Sequence, residues 1–127
     1  MTPRPSRKGD ENALKALWRE VFGDTDEYID AFFQNVYQPS MASVIEEDGT
    51  VVAAAYAVPF GAVRYIFAVA TRPEYRGRGY GRAVVYHCAV WLREKNLIPL
   101  VACEAHRESF YAGLGFQKIS EVTVFTG

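Results

Sequence analysis

The residues of this chain best suited to chemistry stand in one glycine-rich run, Arg76-Gly77-Arg78-Gly79-Tyr80-Gly81. Glycines allow the backbone to turn tightly and to present N–H groups that no side chain shields. The apolar run that follows, Gly81 to Lys95, predicts a helix that begins at the same place. The first N–H groups of a helix lack partners there and carry about half a positive charge. Together the loop and the helix start predict a cradle for a phosphate group.

Two familiar phosphate-binding loops do not fit this run. A P-loop ends in Gly-Lys-Ser or Gly-Lys-Thr, and neither tripeptide occurs in the chain. A dinucleotide-binding loop spaces its glycines G-x-G-x-x-G directly after a strand. Here the spacing is G-x-G-x-G, and Pro73 separates the loop from the preceding apolar run. The sequence therefore argues against ATP and NAD as the ligand.

Other side chains have the chemistry needed to move protons or carry a group. Tyr111 is a neutral acid with an ordinary pKa near ~10, able to protonate a leaving group. Glu104 and His106 are alternatives for a base, although each also fits a solvated position at the start of a short helix. Cys103 has the chemistry to carry an acyl group. The sequence supplies no dedicated base for that thiol, which argues against a two-step mechanism.

Charged residues form two groups along the chain. Arg72, Arg76, Arg78 and Arg82 surround the glycine loop, either as anion ligands or as a solvated basic surface. An acidic group lies earlier in the chain and comprises Asp24, Asp26, Glu27 and Asp30. It either attracts a cationic substrate or serves as ordinary capping chemistry at a helix start, and the second interpretation is favoured.

The elements that must position these residues form a mixed α/β pattern. Helices are predicted from apolar residues at helical spacing and strands from β-branched or apolar runs between turn residues. The predicted helices cover Glu11–Phe22, Tyr28–Tyr37, Gly81–Lys95 and Arg107–Leu114, and the predicted strands cover Ala42–Glu46, Thr50–Val58, Ala62–Thr71, Leu97–Cys103 and Phe116–Phe125. The order ααβββαβαβ predicts one mixed sheet with helices packed on its faces.

Local signals set the predicted boundaries. Asp10 is the expected N-cap of the first helix, and Gly23 ends it. Asp48-Gly49 predicts a hairpin turn, and the run Pro59-Phe60-Gly61 predicts a break between strands. The strands over Ala62–Thr71 and Leu97–Cys103 are nearly all apolar and are predicted to be buried in the sheet.

Composition predicts a single globular domain over residues 1–127, with 50% hydrophobic and 23% charged residues. The net charge of −1 gives no case for nucleic-acid binding. No apolar run approaches the ~20 residues that span a membrane, and no signal peptide is visible. Cys88 and Cys103 lie on apolar segments without the spacing of metal ligands. We therefore expect buried, reduced thiols, no metal site and a cytoplasmic location.

Three segments resemble one protein family. The loop Arg76-x-x-Gly79-x-Gly81 is similar to the Q/R-x-x-G-x-G/A acetyl-CoA signature of the Gcn5-related N-acetyltransferases (GNAT). The preceding Val69 to Tyr75 is typical of that family, and Phe110 to Phe116 is similar to its Tyr-x-x-Leu-Gly-Phe segment. The order of elements also agrees, so the resemblance covers nearly the whole chain. It implies a GNAT-like fold and an N-acetyltransferase that uses acetyl-CoA as the acyl donor.

The resemblance also implies roles for individual residues. The loop and helix start would bind the pyrophosphate of coenzyme A, through Arg76, Gly77, Arg78, Gly79, Tyr80, Gly81 and Arg82. The pantetheine arm would lie along the fourth strand like an added strand, at Ala68, Val69, Ala70 and Thr71. The fourth and fifth strands would splay apart there. Tyr111 would protonate the departing thiolate, Glu104 is the candidate base, and the acetyl group would pass directly to the amine in a ternary complex.

The chain edges depart from the family pattern and leave two functions open. Pro3 and Pro5 make the first strand, expected over Thr2 to Ser6, short or absent. An open sheet edge favours a homodimer. The acceptor is a primary amine on a small molecule, a peptide or a protein. The alternative function is a non-catalytic acyl-CoA-binding regulatory or interaction module.

Overall fold

A five-stranded mixed sheet with helices on both faces makes up the fold in the computed structural model, which describes residues 2–119. The strands are β1 (Arg4–Pro5), β2 (Ala42–Glu47), β3 (Thr50–Phe60), β4 (Val63–Thr71) and β5 (Ile98–Leu100). The α-helices are α1 (Glu11–Phe22), α2 (Asp26–Asn35), α3 (Tyr80–Glu94) and α4 (Glu108–Ala112). Short 3-10 turns cover Lys8–Asp10, Pro73–Tyr75 and Ala105–Arg107. The predicted mixed α/β fold is confirmed.

The strands lie in chain order across the sheet. β1, β2, β3 and β4 pair antiparallel in succession, whereas β4 and β5 pair parallel. A parallel pair needs a long crossover, which α3 supplies between β4 and β5. The crossover therefore places the start of α3 at the end of β4, and this positions the glycine loop between them.

Each face of the sheet has its own core. Helices α1 and α2 cover one face with Leu14, Trp18 and Phe32 among the buried residues. Helix α3 covers the other face with Val84 and Cys88. The middle of β3 is buried between these layers in an unbroken run over residues 51–57, as expected for a strand covered on both faces.

The start of α1 differs from the prediction. Asp10 occupies the N-cap position, but its backbone is already helical at φ −85° and ψ −8°, and its side chain does not cap α1. The carboxylate instead accepts a 2.7 Å bond from the Arg7 N–H and a 2.8 Å bond from Arg4 Nη1. Asp10 therefore closes the preceding turn and ties it to β1. At the other end, Gly23 ends α1 as predicted, at φ 69°.

β1 is short, as predicted: Arg4 and Pro5 pair with β2, and the next residue, Ser6, donates its N–H to the Ala42 carbonyl at 2.8 Å. The predicted break at Pro59 is wrong, because β3 continues to Phe60. The Ala57 N–H points to the β2 side, where it donates to the Met41 carbonyl at 2.9 Å. The nitrogen of Pro59, two residues later, faces the same side of β3. β2 does not extend that far, so the missing N–H of proline costs the sheet no hydrogen bond.

The predicted long, buried strand over Leu97–Cys103 is also wrong. β5 has three residues, and Ile98 remains 51% exposed. Cys88 is buried as predicted, whereas Cys103 is exposed. β4 lies between β3 and β5 as expected but is only partly buried. Within residues 2–119, no strand pairs with the outer edge of β5, and β5 itself pairs with only the first three residues of β4, which leaves both strands less covered than predicted.

The predicted final strand, Phe116–Phe125, lies mainly outside the described residues. Its described part, residues 116–119, is not in a strand. Over residues 2–119, none of the helices combines the length and the apolar character required to cross a membrane.

Candidate active site

The glycine loop adopts the backbone that its composition predicts. Gly77 and Gly79 have φ angles of 81° and 79°, in the left-handed region that favours glycine. Gly79 is the N-cap of α3, which begins at Tyr80, one residue earlier than predicted. The Ala83 N–H makes the first bond of the helix, to the Gly79 carbonyl at 3.0 Å. The N–H groups just before Ala83 have no acceptor within the helix and form a donor set for an anion.

The four arginines near the loop have distinct partners. Arg76 Nε donates to the Thr71 carbonyl at 3.1 Å, at the end of β4. Arg82 Nη2 lies 3.4 Å from the Gly113 carbonyl, across the gap to α4. Arg72 is bound to the Glu20 carboxylate and to a β3 carbonyl, so it joins α1 to the sheet. Arg76, Arg78 and Arg82 remain the exposed cations of the loop.

A groove of about 320 Å³ adjoins the cradle. It runs between the first half of α3 and the end of α4, and Arg82 spans it. Its walls combine the N-cap glycine, apolar residues and two aromatic rings, namely Gly79, Arg82, Ala83, Tyr86, His87, Gly113 and Leu114. The groove therefore continues the anion cradle into a partly aromatic surface.

β4 and β5 separate beside the cradle, as predicted. They pair only through Val63–Tyr65, the beginning of β4, and Ile98–Leu100, the whole of β5. β4 then continues for six more residues to Thr71, while β5 ends at Leu100. The second half of β4 therefore has no β5 partner on that edge, and this edge leads to the glycine loop.

A β-bulge lies in this unpaired half of β4. Tyr56 pairs with Phe67 and Ala54 with Ala70, so Ala68 and Val69 together oppose a single residue of β3. Ala68 has φ 52°, which is uncommon for a residue with a Cβ. A bulge of this kind bends its strand and takes backbone groups out of the ladder. The expected pantetheine segment, Ala68 to Thr71, thus begins at backbone groups that are free of regular pairing.

Tyr111 lies on α4 in a half-buried position. Its ring packs edge-on against Phe110 at 5.0 Å and Phe116 at 5.9 Å, measured between ring centroids. Burial raises the pKa of Tyr111, opposed by the nearby Arg107 charge and assisted by Cys103 and Tyr65. The side chain also packs against the core cluster that α3 and the sheet share. Its hydroxyl is a neutral acid at physiological pH.

Glu104 and His106 face solvent rather than an enclosed site. Glu104 Oε2 lies 3.3 Å from His106 Nδ1, and their side chains are 81% and 67% exposed. The two candidate bases therefore contact each other. Among the described residues, neither forms a hydrogen bond or an ion pair with Tyr111.

The acidic group near α2 is held by α1. Asp24 accepts a 2.7 Å bond from the Trp18 indole N–H, and Asp26 pairs with Arg19 at 2.8 Å. Asp30 lies 3.2 Å from Lys15. These contacts support the capping and packing interpretation of the group over substrate attraction.

Sequence reasoning missed two features of the site. The Ala68 bulge left only a weak signal, a small residue within a run of larger strand formers. Glu47 was not considered, although its carboxylate accepts a 2.7 Å bond from the Tyr80 hydroxyl at the start of α3. The two residues are 33 positions apart, and no local pattern predicts their contact.

Comparison with known proteins agrees with this arrangement. The family model of the acetyltransferase (GNAT) family matches residues 11–116. A putative acetyltransferase from Agrobacterium tumefaciens str. C58 is 26% identical with a TM-score of 0.73, over 100% of both chains. The aminoglycoside N-acetyltransferase AAC(6')-Iy is 16% identical with a TM-score of 0.78, over 98% of this chain and 96% of that one.

Glucosamine-6-phosphate N-acetyltransferase from Arabidopsis thaliana is 20% identical with a TM-score of 0.71, over 98% of this chain and 97% of that one. No curated protein sequence gives a significant match. The sheet, the splayed strands and the glycine loop define the class of acyl-CoA N-acyltransferases. Within that class, the chain belongs to the acetyltransferase (GNAT) family, and it is an acetyl-CoA-dependent N-acetyltransferase.

Proposed function

We propose that this enzyme transfers the acetyl group of acetyl-CoA directly to a primary amine while both substrates are bound. One observation carries the proposal: the glycine loop that ends in the N-cap Gly79 follows directly on the half of β4 that is bulged and has no β5 partner. The loop and helix start suit the charged end of the cofactor, and the edge of β4 without a β5 partner suits its extended arm. Both lie on one continuous stretch of chain, from Ala68 to Arg82.

The cofactor is proposed to follow this stretch. The pyrophosphate binds the backbone N–H groups of Gly77 to Gly81, assisted by the guanidinium groups of Arg76, Arg78 and Arg82. The pantetheine arm lies along Ala68 to Thr71 and bonds to the backbone as an added strand does. The nucleotide end occupies the groove beside Tyr86.

The transfer needs one bond made and one broken. The neutral amine attacks the thioester carbonyl, a C–N bond forms, and the C–S bond breaks to release the coenzyme A thiolate. Tyr111 donates its proton to that thiolate and is reprotonated from solvent. The proton lost by the amine passes to water or to Glu104, whose exposure permits exchange with bulk solvent.

The acceptor is proposed to be an amine-bearing small molecule, peptide or protein. Relatives of the same fold act on an aminoglycoside, on glucosamine-6-phosphate and on the alanine of ribosomal protein S18. We also propose a cytoplasmic enzyme that forms a homodimer, since Ile98 and Leu100 are exposed and, within residues 2–119, no strand pairs with the outer edge of β5. Light scattering at high protein concentration tests the dimer, and a monomer there would rule it out.

The function is tested in two stages. Calorimetric titration with acetyl-CoA should show binding to wild type and none to Gly79→Asp, whose side chain would enter the cradle at a left-handed φ. Release of free thiol is then measured with a panel of an aminoglycoside, an amino sugar phosphate and a peptide with N-terminal alanine. Binding without thiol release for any amine would favour the non-catalytic acyl-CoA-binding module. A folded protein that does not bind acetyl-CoA would contradict the proposal.

A further inference from the structure

Glu47, the last residue of β2, connects the β2–β3 turn to the glycine loop. Its Oε1 accepts a 2.7 Å hydrogen bond from the hydroxyl of Tyr80, the first residue of α3. Its Oε2 lies 3.6 Å from Nη1 of Arg78, at the centre of the loop. The Glu47 side chain is only 20% exposed, against 53% for Arg78. One partly enclosed carboxylate therefore contacts both the loop and the helix start that presents the phosphate-binding N–H groups.

The partners of Glu47 also contact one another through Tyr75. The Arg78 guanidinium carbon lies 4.9 Å from the centre of the Tyr75 ring. The rings of Tyr75 and Tyr80 are nearly parallel, with centroids 6.4 Å apart. The hydrogen bond to Glu47 raises the pKa of Tyr80, so that hydroxyl stays a donor over the physiological range. Glu47, Tyr75, Arg78 and Tyr80 are here named the loop brace.

A glycine-rich loop needs such a brace because its own residues order poorly. Glycine loses more conformational freedom on folding than any other residue, and its missing side chain offers no anchor. Only Arg76, Arg78 and Tyr80 can fix the loop through side chains. Arg76 is anchored to β4, and the other two converge on Glu47.

We propose that Glu47 is a positioning residue of the cofactor site, which holds the glycine loop in the form that binds phosphate. The inference rests on the proposed function, since it takes the pyrophosphate of coenzyme A as the loop's ligand. Glu47 itself does not bind the cofactor. It acts through Tyr80 and Arg78, and its negative charge is tolerated because Arg78 partly neutralises it.

Two substitutions of Glu47 separate the effect of its hydrogen bond to Tyr80 from the effect of its negative charge. Glu47→Gln keeps an oxygen that accepts the Tyr80 hydroxyl and removes the charge, whereas Glu47→Ala removes both. We expect Glu47→Ala to weaken coenzyme A binding about tenfold, the scale of one hydrogen bond, and Glu47→Gln to stay within about threefold of wild type. Tyr80→Phe, which keeps the ring and loses only the hydroxyl, should match Glu47→Ala. Combining it with Glu47→Ala should add little further loss.

The measurements are calorimetric binding of coenzyme A, the urea midpoint of unfolding, and the split between KM and kcat. A positioning role raises the KM for acetyl-CoA and leaves kcat and the urea midpoint near wild type. Glu74→Ala is the matched control, because Glu74 is an exposed acid close to the loop but outside the brace. It should bind coenzyme A like wild type.

Amide hydrogen exchange over residues 77–81 tests the brace without any ligand, and it should be faster in Glu47→Ala than in wild type. If wild type fails to bind coenzyme A, the proposed function is wrong. The exchange measurement still shows whether Glu47 orders the glycine loop, because it needs no ligand. The inference would be overturned if Glu47→Ala bound coenzyme A as tightly as wild type and its loop amides exchanged at the wild-type rate. Tighter binding in both Glu47 variants would also overturn it, because the carboxylate would then act only as a repelling charge.

Discussion

Replacing Gly79 with alanine separates the backbone requirement at this residue from its contact with the ligand. Gly79 has φ 79°, and an added Cβ would meet no protein atom within 4 Å. The substitution therefore causes no clash within the protein. It destabilises the folded state only through the left-handed backbone, by about 1 kcal/mol for a residue with a Cβ. For a domain of 127 residues, that lowers Tm by about 3–5 °C.

Gly61 provides a matched control in the β3–β4 turn. It also has a left-handed φ, 64°, and open space around the position of a Cβ. Gly61→Ala should therefore lower Tm by a similar amount, as measured by thermal unfolding. The two variants then differ only in what lies beside them, the phosphate cradle for Gly79 and a solvent-exposed turn for Gly61.

The difference between the variants should appear in cofactor binding. At Gly79 the new methyl group stands at the N-cap of α3, where a phosphate must approach the backbone closely. We expect at least a tenfold loss of acetyl-CoA affinity by calorimetry, about 1.4 kcal/mol, with no loss for Gly61→Ala. Equal affinity of the two variants for acetyl-CoA would refute the placement of the pyrophosphate at Gly79.

Three further predictions concern single side chains. Tyr111→Phe should lower kcat about a hundredfold with little change in the KM for acetyl-CoA. Wild-type activity is expected to fall as the pH rises through the raised pKa of Tyr111, and this fall should be absent from the variant. Unchanged turnover at every pH would contradict the role of Tyr111 as the acid. Burial raises the pKa of Cys88 to about 12, whereas Cys103 is exposed, so a thiol reagent at pH 8 should modify Cys103 alone in the native protein, as read by peptide mass mapping; early labelling of Cys88 would contradict the packing of α3. The hydrogen bond from Arg4 holds the pKa of Asp10 below its ordinary value, so its contribution to stability is present at neutral pH and is lost as pH falls through the lowered pKa. Asp10→Asn should therefore cost about 1 kcal/mol in urea unfolding at pH 7 and much less once the pH falls below the lowered pKa, and a constant difference across that range would be the contrary result.

Elements with strong local signals could be predicted from the sequence. The glycine spacing and the following apolar period placed the loop and α3 to within one residue, because backbone freedom and helix periodicity are properties of neighbouring residues. The same holds for α1, whose end at Gly23 follows from a left-handed residue after an amphipathic run. The cradle was therefore predictable together with its position after β4.

Features that depend on distant residues could not be predicted. The exposure of β5 depends on which strand covers its edge, and an apolar run such as Leu97–Cys103 does not contain that information. The bulge at Ala68 arises from the register between β3 and β4. Asp10 had the residue type of a cap, but a competing contact with Arg4 on β1 decided where its carboxylate lies.

The unpaired edge of β4 has a consequence for the lifetime of the protein. If acetyl-CoA binds this edge like an added strand, as proposed, the stability of the fold would depend on the concentration of the cofactor. At a hundred times its dissociation constant, such a ligand adds about 2.7 kcal/mol to the free energy of unfolding. Starved of acetyl-CoA, the same chain would open more often and be degraded faster, so enzyme abundance would follow its own donor without any dedicated sensor.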